Sequence, residues 1–271
     1  MDAELTPIAR NCPNCGADQP KDLGLGRDPW VIGECGQCGF AYLTAAASYE
    51  DLSELYSWEK AIVAEAKRRK QKQPIVQWLD QKTRWRLHMF PRPETKTFLE
   101  KLVPGGNIVD IGCGNGKVGL ALPDRYTPYG VEISKSLAAE ADAEFRKRGG
   151  FCVHAPSAEG LGQFEPNLFD GAMLNSYLEH EAKPLPVLEA LARVMKPSGV
   201  AIIKVPNFGS WNAAVMKSGW CGIRLPDHVN YFTPQSLANM AAKAGFASDF
   251  PGSANLPTND NFWAFLRREA A

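Results

Sequence analysis

The sequence lacks a net charge and any long apolar run. Its 30 basic and 30 acidic residues balance, so no global charge drives binding to nucleic acid or to an acidic surface. No stretch reaches the roughly 18 to 20 apolar residues that a membrane span needs. The polar stretch MDAELTPIARNC at the start has no apolar core of a secretory signal. We therefore expect a cytoplasmic protein without a membrane span.

Histidine is scarce, with 4 residues, and the 7 cysteines are odd in number. An odd count without a secretory signal argues against a disulfide framework. Two CxxCG motifs, 19 residues apart, contain four of the cysteines: Cys12, Cys15, Cys35 and Cys38. Such turns can place four thiolates around one ion, and the glycine after each permits a left-handed backbone. We predict a closed, structural Zn²⁺ site that does no chemistry, with a pair of redox motifs as the alternative.

We divide the chain into a zinc ribbon at 1–45, a helical lid or linker segment at 46–103, and a main domain at 104–271. The middle segment carries a basic run from Lys67 to Lys72 and a second basic cluster from Lys82 to Arg92, interleaved with aromatic residues. Three interpretations stay open for this segment. It is a solvated helix face, a lid over the active site, or a patch for an anionic substrate such as RNA.

Strands and helices alternate in the main domain. Apolar runs predict strands at 108–111, 129–133, 151–153, 169–174 and 200–205, with two more at 247–250 and 261–266. Helical periodicity fills most of the intervals. Ser134 is predicted to cap one helix, and Thr233-Pro234 to open another. This alternation predicts an α/β fold, an open and mostly parallel sheet with helices on both faces. Ligands bind such sheets beyond the carboxyl ends of the strands.

A glycine-rich turn, VDIGCGNGKVG at 109–119, follows the first of these strands. A dinucleotide fingerprint would need a third glycine where Lys117 stands, and a phosphate loop would need a G-K-[ST] ending that is missing. Asp110, two residues before the first glycine, repels a pyrophosphate but can pair with an ammonium group. The turn therefore favours a ligand with a cationic amino-acid end and no phosphates.

From about 99 to 268 the chain resembles the class I S-adenosylmethionine-dependent methyltransferases. VDIGCGNG resembles their first motif, and Glu132, 22 residues after Asp110, stands where the family has the acid that binds the ribose hydroxyls. FDGAMLNSYLEH and PLPVLEALARVMKPSG match later motifs, while HVNYFTPQSL resembles the small-molecule, ubiquinone-methyltransferase-like branch. Ser157 replaces the usual acid of the adenine-facing turn. The resemblance implies a Rossmann-like, seven-stranded sheet and these S-adenosylmethionine-binding residues: Asp110, Gly112, Cys113, Gly114, Gly116, Glu132, Ile133, Ser157, Ala158 and Asn175.

Methyl transfer from a sulfonium requires alignment of donor and acceptor, and it requires a base only where the acceptor carries a proton that must leave. His180 and His228 lie on predicted loops at the ligand-binding end, so either is a candidate catalytic base. Four aromatic residues are candidates to line an acceptor pocket: Trp211, Trp220, Tyr231 and Phe232.

The leading prediction is O-methylation of a small hydroxylated metabolite or a sugar or glycan intermediate, with S-adenosylmethionine and a structural Zn²⁺. One alternative is an rRNA base methyltransferase whose zinc ribbon recognises RNA, which the basic run favours and the balanced charge opposes. The other is a non-catalytic binding protein that keeps the methyltransferase-like fold and uses its ribbon to bind a protein. The sequence predicts no oligomeric state.

Overall fold

A computed structural model describes residues 6–47, 94–252 and 254–268 of the 271-residue chain. The basic run and the second basic cluster of the predicted helical segment lie outside these residues. Within the described ranges, no helix combines the length and the apolar character that crossing a membrane requires.

A seven-stranded sheet forms the centre of the main domain. Its strands are β6 (Gly106–Ile111), β7 (Tyr126–Glu132), β8 (Cys152–His154), β9 (Phe169–Asn175), β10 (Met195–Pro206), β12 (Phe246–Asp249) and β13 (Asn261–Arg268). In space they run β12-β13-β10-β9-β6-β7-β8. β13 runs antiparallel to the other six strands, which are parallel to one another. The predicted seven-stranded, mostly parallel Rossmann-like sheet is confirmed. Because β7 and β8 lie on one side of β6 and β9 lies on the other, the topological switch point falls between β6 and β9.

Helices cover both faces of this sheet. They are α1 (Thr95–Leu102), α2 (Lys117–Leu120), α3 (Lys135–Phe145), α4 (Ser157–Gly162), α5 (Pro184–Val194), α6 (Trp211–Met216) and α7 (Pro234–Lys243). Alternate residues of β10 show the two layers, since Ile203 packs in the cluster that holds α5 and α7, whereas Ile202 packs with Leu99 of α1. This alternation is what a strand covered on both faces requires.

Two helix starts predicted from the sequence can be compared with the structure. Helix α7 opens at Thr233-Pro234 as predicted. Thr233 also caps it, since its Oγ1 accepts from the N–H of Ser236 at 3.1 Å while the Ser236 Oγ accepts from the N–H of Thr233 at 2.9 Å. The predicted side-chain cap by Ser134 is wrong: Ser134 precedes α3 but makes no capping hydrogen bond with its side chain. Its own N–H donates to Glu132 Oε1 at 2.8 Å instead. The neighbouring carboxylate is a stronger organiser of that turn than the hydroxyl.

The N-terminal residues form two small sheets. Strands β1 (Ile8–Ala9) and β5 (Ala45–Ala46) pair with each other, and β2 (Pro20–Asp22), β3 (Ile32–Cys35) and β4 (Ala41–Leu43) form an antiparallel sheet. The fourth strand of that sheet is β11 (Asn230–Tyr231), which comes from the main domain and pairs with β4. The ribbon is therefore joined by backbone hydrogen bonds to the loop that follows β10.

Side chains reinforce this junction. The ring of Phe40 in the ribbon meets Phe232 edge-on, with centroids 5.2 Å apart. The Lys243 ammonium at the end of α7 donates to the carbonyl of Asn14 at 2.7 Å. Phe40 and Tyr42 are completely buried in the same apolar cluster as residues of β6 and β10. The ribbon thus packs as part of the main hydrophobic core.

Candidate functional site

The four motif cysteines converge in the ribbon. The Sγ atoms of Cys12 and Cys38 are 3.5 Å apart, those of Cys15 and Cys35 are 3.4 Å apart, and all four lie within 4.8 Å of one another. Four thiolates about 2.3 Å from one Zn²⁺ in a tetrahedron are separated by about 3.8 Å. The cluster is therefore close to the size that the ion needs.

Both knuckles have the same backbone. Gly16 and Gly39 follow the second cysteine of each motif and have φ of 78° and 69°. Their N–H groups donate to the carbonyls of Cys12 and Cys35, each at 2.8 Å. The left-handed glycine predicted from CxxCG is present in each turn, because this closure requires positive φ.

The glycine-rich turn leaves the carboxyl end of β6 at the switch point. Gly112, Gly114 and Gly116 have φ of 68°, 54° and 79°, and Gly116 immediately precedes α2. A Cβ on Gly114 would meet nothing within 4 Å, whereas a Cβ on Gly112 would lie 2.5 Å from the Tyr177 ring. The turn thus has open space above Gly114 and is covered at Gly112 by the loop after β9. Backbone can approach a ligand closely there.

Asp110 and Glu132 place two carboxylates beside this turn. They are 5% and 8% exposed. Burial, and next the charge of Glu132, raise the pKa of Asp110 to about 7. In the part of the chain that the structure describes, the Asp110 carboxylate receives no hydrogen bond. A cation with N–H donors would stabilise its ionised form.

Glu132 already has two backbone partners. Its Oε2 accepts from the N–H of Gly114 at 2.8 Å and its Oε1 from Ser134, as described above. Each carboxylate oxygen can accept more than one hydrogen bond, so both keep capacity for a diol. Glu132 therefore fixes the glycine turn in addition to the predicted role toward the ribose.

The other predicted cofactor residues lie around the same edge. Ile133 directly follows β7, and its carbonyl accepts from the imidazole of His154 at 3.0 Å. Ser157 and Ala158 begin α4, and Asn175 ends β9. Cys113 is buried, with its Sγ 3.6 Å from that of Cys152 beneath the turn. The structure thus gathers the predicted residues at one edge of the sheet, with Cys113 pointing into the packing below.

His180, on the loop after β9, and His228, just before β11, meet each other. Their rings are 4.6 Å apart and nearly perpendicular. The Nδ1–H of His180 donates to the carbonyl of Asp227 at 3.0 Å, and that of His228 donates to Gly222 at 2.7 Å. A carbonyl can only accept, so each neutral ring carries its lone pair on Nε2.

Glu179 completes this cluster, and sequence reasoning missed it. It is 1% exposed, its Oε2 receives no hydrogen bond among the described residues, and burial raises its pKa to about 8. Burial lowers the pKa of His180 to about 3. One ligand atom from each of Glu179, His180 and His228 lies within 4.8 Å of the others, close enough to share a divalent cation. The letters "EH" after a strand were the available signal.

Three of the four aromatic residues predicted to line an acceptor pocket are buried in the hydrophobic core. Trp220, Tyr231 and Phe232 are 1%, 3% and 1% exposed, and the Trp220 indole N–H donates to Asp260 at 2.8 Å. Trp211 is 64% exposed. Trp220 and Tyr231 pack in one buried cluster with ribbon residues, and Phe232 packs on Phe40, so these three rings hold the ribbon against the main domain.

Comparison with known proteins settles the family. A family model described as "Methyltransferase domain" matches residues 83–249. This chain belongs to that methyltransferase family. The methyltransferase carries the glycine turn, Glu132 and the His180 loop inside the matched region, so the sequence-based identification as a class I S-adenosylmethionine-dependent methyltransferase is confirmed.

Curated relatives of the methyltransferase include enzymes named ubiquinone biosynthesis O-methyltransferase. The one from Burkholderia pseudomallei (strain 1710b) is 27% identical over 151 residues, 53% of this chain and 65% of the relative. The one from Paraburkholderia phymatum is 28% identical over 185 residues, 61% of this chain and 80% of the relative. The chain thus spans less than two thirds of the Burkholderia relative.

Solved structures share the fold. A Thermotoga maritima protein described as an S-adenosylmethionine-dependent methyltransferase and possible histamine N-methyltransferase superposes with a TM-score of 0.50. The match has 21% identity and covers 71% of this chain and 97% of that one. At this identity the likeness establishes the fold of the methyltransferase and leaves its acceptor open.

Proposed function

We propose that this protein binds S-adenosylmethionine at the glycine turn and transfers its methyl group to a hydroxyl of a small metabolite or sugar. The pair of buried carboxylates, Asp110 and Glu132, carries the proposal. Two acids so close to each other favour a cationic ligand and disfavour the phosphates of a nucleotide. S-adenosylmethionine fits because it offers an ammonium group, a sulfonium and a ribose diol.

The residues of the turn divide the binding work. Asp110 pairs with the ammonium group, Glu132 accepts from the ribose hydroxyls, and the glycine backbone leaves room for the methionine chain. Ile133, Ser157 and Ala158 border the adenine, and Asn175 lies at the end of β9 where the methyl group points. When bound, the cofactor supplies the electrophilic methyl carbon. The chain's contribution is alignment, worth up to about 7 to 11 kcal/mol in favourable reactions.

The hydroxyl that receives the methyl group must lose a proton. We place the base that takes this proton in the cluster of Glu179, His180 and His228. Nε2 of either imidazole carries the lone pair in the neutral form, because each Nδ1–H is held by a backbone carbonyl. The lowered pKa of His180, about 3, makes His180 a weak base. The relatives named ubiquinone biosynthesis O-methyltransferase support a small hydroxylated acceptor. We therefore rank such an acceptor above an rRNA base.

Calorimetry with S-adenosylhomocysteine tests the cofactor part. We expect one site per chain, and a lack of binding would favour the non-catalytic alternative. Transfer of a labelled methyl group to a panel of catechols, sugars and a ribosomal RNA fragment tests the acceptor. His180→Asn and His228→Asn should each lower kcat for a hydroxyl acceptor about 10² to 10⁴-fold if that residue is the base, with S-adenosylhomocysteine affinity unchanged. Transfer to RNA alone would overturn the ranking.

We also propose that Cys12, Cys15, Cys35 and Cys38 hold one structural Zn²⁺. The donor set is four sulfurs of suitable separation, and a four-thiolate tetrahedron has no position left for substrate. A ribbon of about 40 residues is too small to hold a core alone, so the ion would contribute to its folding.

A further inference from the structure

Arg10 lies two residues before the first knuckle cysteine and reaches both loops of the histidine cluster. Its Nη2 donates to the carbonyl of Ala182 at 2.7 Å and to Oδ1 of Asn230 at 3.2 Å. Its Nη1 donates to the carbonyls of Val229 at 3.1 Å and Leu43 at 3.5 Å. One guanidinium therefore joins ribbon strand β4, the loop after His180 and the residue after His228.

The two loops are also bound to each other at that point. The side-chain amide of Asn230 donates to the carbonyls of Leu178 at 2.8 Å and Glu181 at 2.6 Å. The backbone N–H groups of Val229 and Asn230 both donate to the carbonyl of Glu179, at 2.7 and 3.1 Å. His180 and His228 thus sit on segments whose relative position is set by hydrogen bonds around Asn230.

The ribbon holds the second of these segments in register. Asn230 pairs with Tyr42 across β11 and β4, and the N–H of Leu43 donates to the carbonyl of Val229 at 2.9 Å. Arg10 donates a second hydrogen bond to the same Val229 carbonyl. A guanidinium suits this place, since its planar fork offers five fixed donors and stays charged.

We propose that Arg10 is a positioning residue for methyl transfer, through which the ribbon sets the geometry of the His180 and His228 loops. This inference rests on the proposed function of the histidine cluster. Arg10 acts on the carbonyl groups beside the cluster, so its loss should impair turnover of the acceptor while leaving the Asp110 and Glu132 half of the site intact. Displacements of about 1 Å in such a site lower rates about 100-fold.

Arg10→Ala and Arg10→Lys test the proposal, with Arg27→Ala as the matched control. Arg27 is another ribbon arginine, whose Nη2 donates to the Leu225 carbonyl at 3.3 Å. Zinc content, S-adenosylhomocysteine affinity and amide hydrogen exchange would be measured on the full chain. We expect both Arg10 variants to keep zinc and to bind S-adenosylhomocysteine within about threefold of wild type. Exchange should accelerate at least tenfold at the amides of Val229 and Asn230.

Kinetics and chemical rescue separate positioning from general stability. With 3,4-dihydroxybenzoate as the catechol probe, or the best acceptor of the panel above, kcat should fall 10- to 100-fold in Arg10→Ala. Millimolar guanidinium chloride should restore part of it, and sodium chloride at equal ionic strength should not.

Two results would overturn the proposal. In the first, the Arg10 variants match Arg27→Ala in amide hydrogen exchange and in kcat. In the second, they lose zinc and their amide hydrogen exchange accelerates across the whole chain. If wild type transfers no methyl group to any acceptor, the proposed function fails, while loop exchange still reports on positioning.

Discussion

At the scale of single residues, the site is organised by carboxylates in low-dielectric surroundings. Asp110 and Glu132 lie at the carboxyl ends of β6 and β7, where parallel strands bring them together. Glu132 is satisfied by two backbone N–H groups, whereas Asp110 keeps a pKa of about 7. Asp110 is thus the residue whose charge should depend on the ligand.

Cofactor binding should therefore depend on pH. Below pH 7 Asp110 is protonated and cannot pair with an ammonium group, so S-adenosylhomocysteine affinity should rise about tenfold from pH 6 to pH 8. Asp110→Asn should bind at least tenfold more weakly at pH 8 and lose this dependence, as measured by calorimetry. Asp249→Asn, on exposed β12, should keep the wild-type profile. A flat wild-type profile would contradict the role of Asp110.

The same residue should affect the stability of the ligand-free protein. Its pKa in the folded state is raised from 3.8 to about 7, so between these values the folded state binds more protons than the unfolded chain. The free energy of unfolding therefore decreases as pH rises through this window. Asp110→Asn should remove that penalty and stabilise the free protein by about 1 to 4 kcal/mol at pH 8, and by less at pH 5, in urea unfolding. Equal effects at both pH values would argue against the shift.

Gly112 tests the fit between the turn and the loop above it. Gly112→Ala would place a Cβ 2.5 Å from the Tyr177 ring at φ 68°, so we expect a loss of about 1 to 3 kcal/mol in unfolding free energy and at least tenfold weaker S-adenosylhomocysteine binding. Gly162→Ala is the control, because its Cβ would meet nothing within 4 Å and its φ is not positive. That variant should stay within about 0.5 kcal/mol of wild type.

At the scale of elements, the sequence predicted those helices and strands whose formation depends on residues close together in the chain. The sheet strands emerged from apolar runs, and α7 from Thr233 and Pro234, because these signals act within a few residues. Strand β11 was missed since two residues have no periodicity, and its partner β4 is remote in sequence. In the site, the glycine turn was readable as a contiguous motif. Glu179 stood in the stretch that ends in "EH", but its role depends on burial, and the role of Arg10 depends on distant carbonyls, so neither role could be predicted.

The cap of α7 gives an element-scale prediction. Thr233→Ala removes one half of the reciprocal hydrogen bonds with Ser236 and should lower the free energy of unfolding by about 1 kcal/mol. Gln235→Ala, an exposed change on the same helix, should lower it by less than about 0.5 kcal/mol. Thermal and urea unfolding would measure both variants. Equal decreases in their free energies of unfolding would show that the capping box does not stabilise the helix.

At the scale of the molecule, the ribbon and the main domain share a core and a sheet. Phe40 and Tyr42 pack against residues of the large sheet, and β11 completes the small one. We therefore expect the zinc-loaded chain to unfold in a single transition, since the ribbon and the main domain share hydrophobic clusters.

Removal of zinc should lower the stability of the whole chain. Cys15→Ser takes away an exposed thiol of the proposed zinc site, so metal analysis should show a fall from one zinc per chain, and Tm should drop by several degrees. Cys221→Ser, a cysteine outside the cluster, should retain zinc and Tm. Full zinc occupancy in Cys15→Ser would exclude the four-thiolate site.

The pairing of β4 with β11 also constrains the order of folding during synthesis. In the proposed zinc site the four cysteines are synthesised early and would be free to close around an ion, whereas Arg10 must wait for the Val229 carbonyl, 219 residues later. Contacts of such separation form late because their loop-closure entropy is large. The ribbon would thus be synthesised first but would pack against the main domain last. The loops that carry His180 and His228 would take their final geometry only when translation of the large sheet is nearly complete.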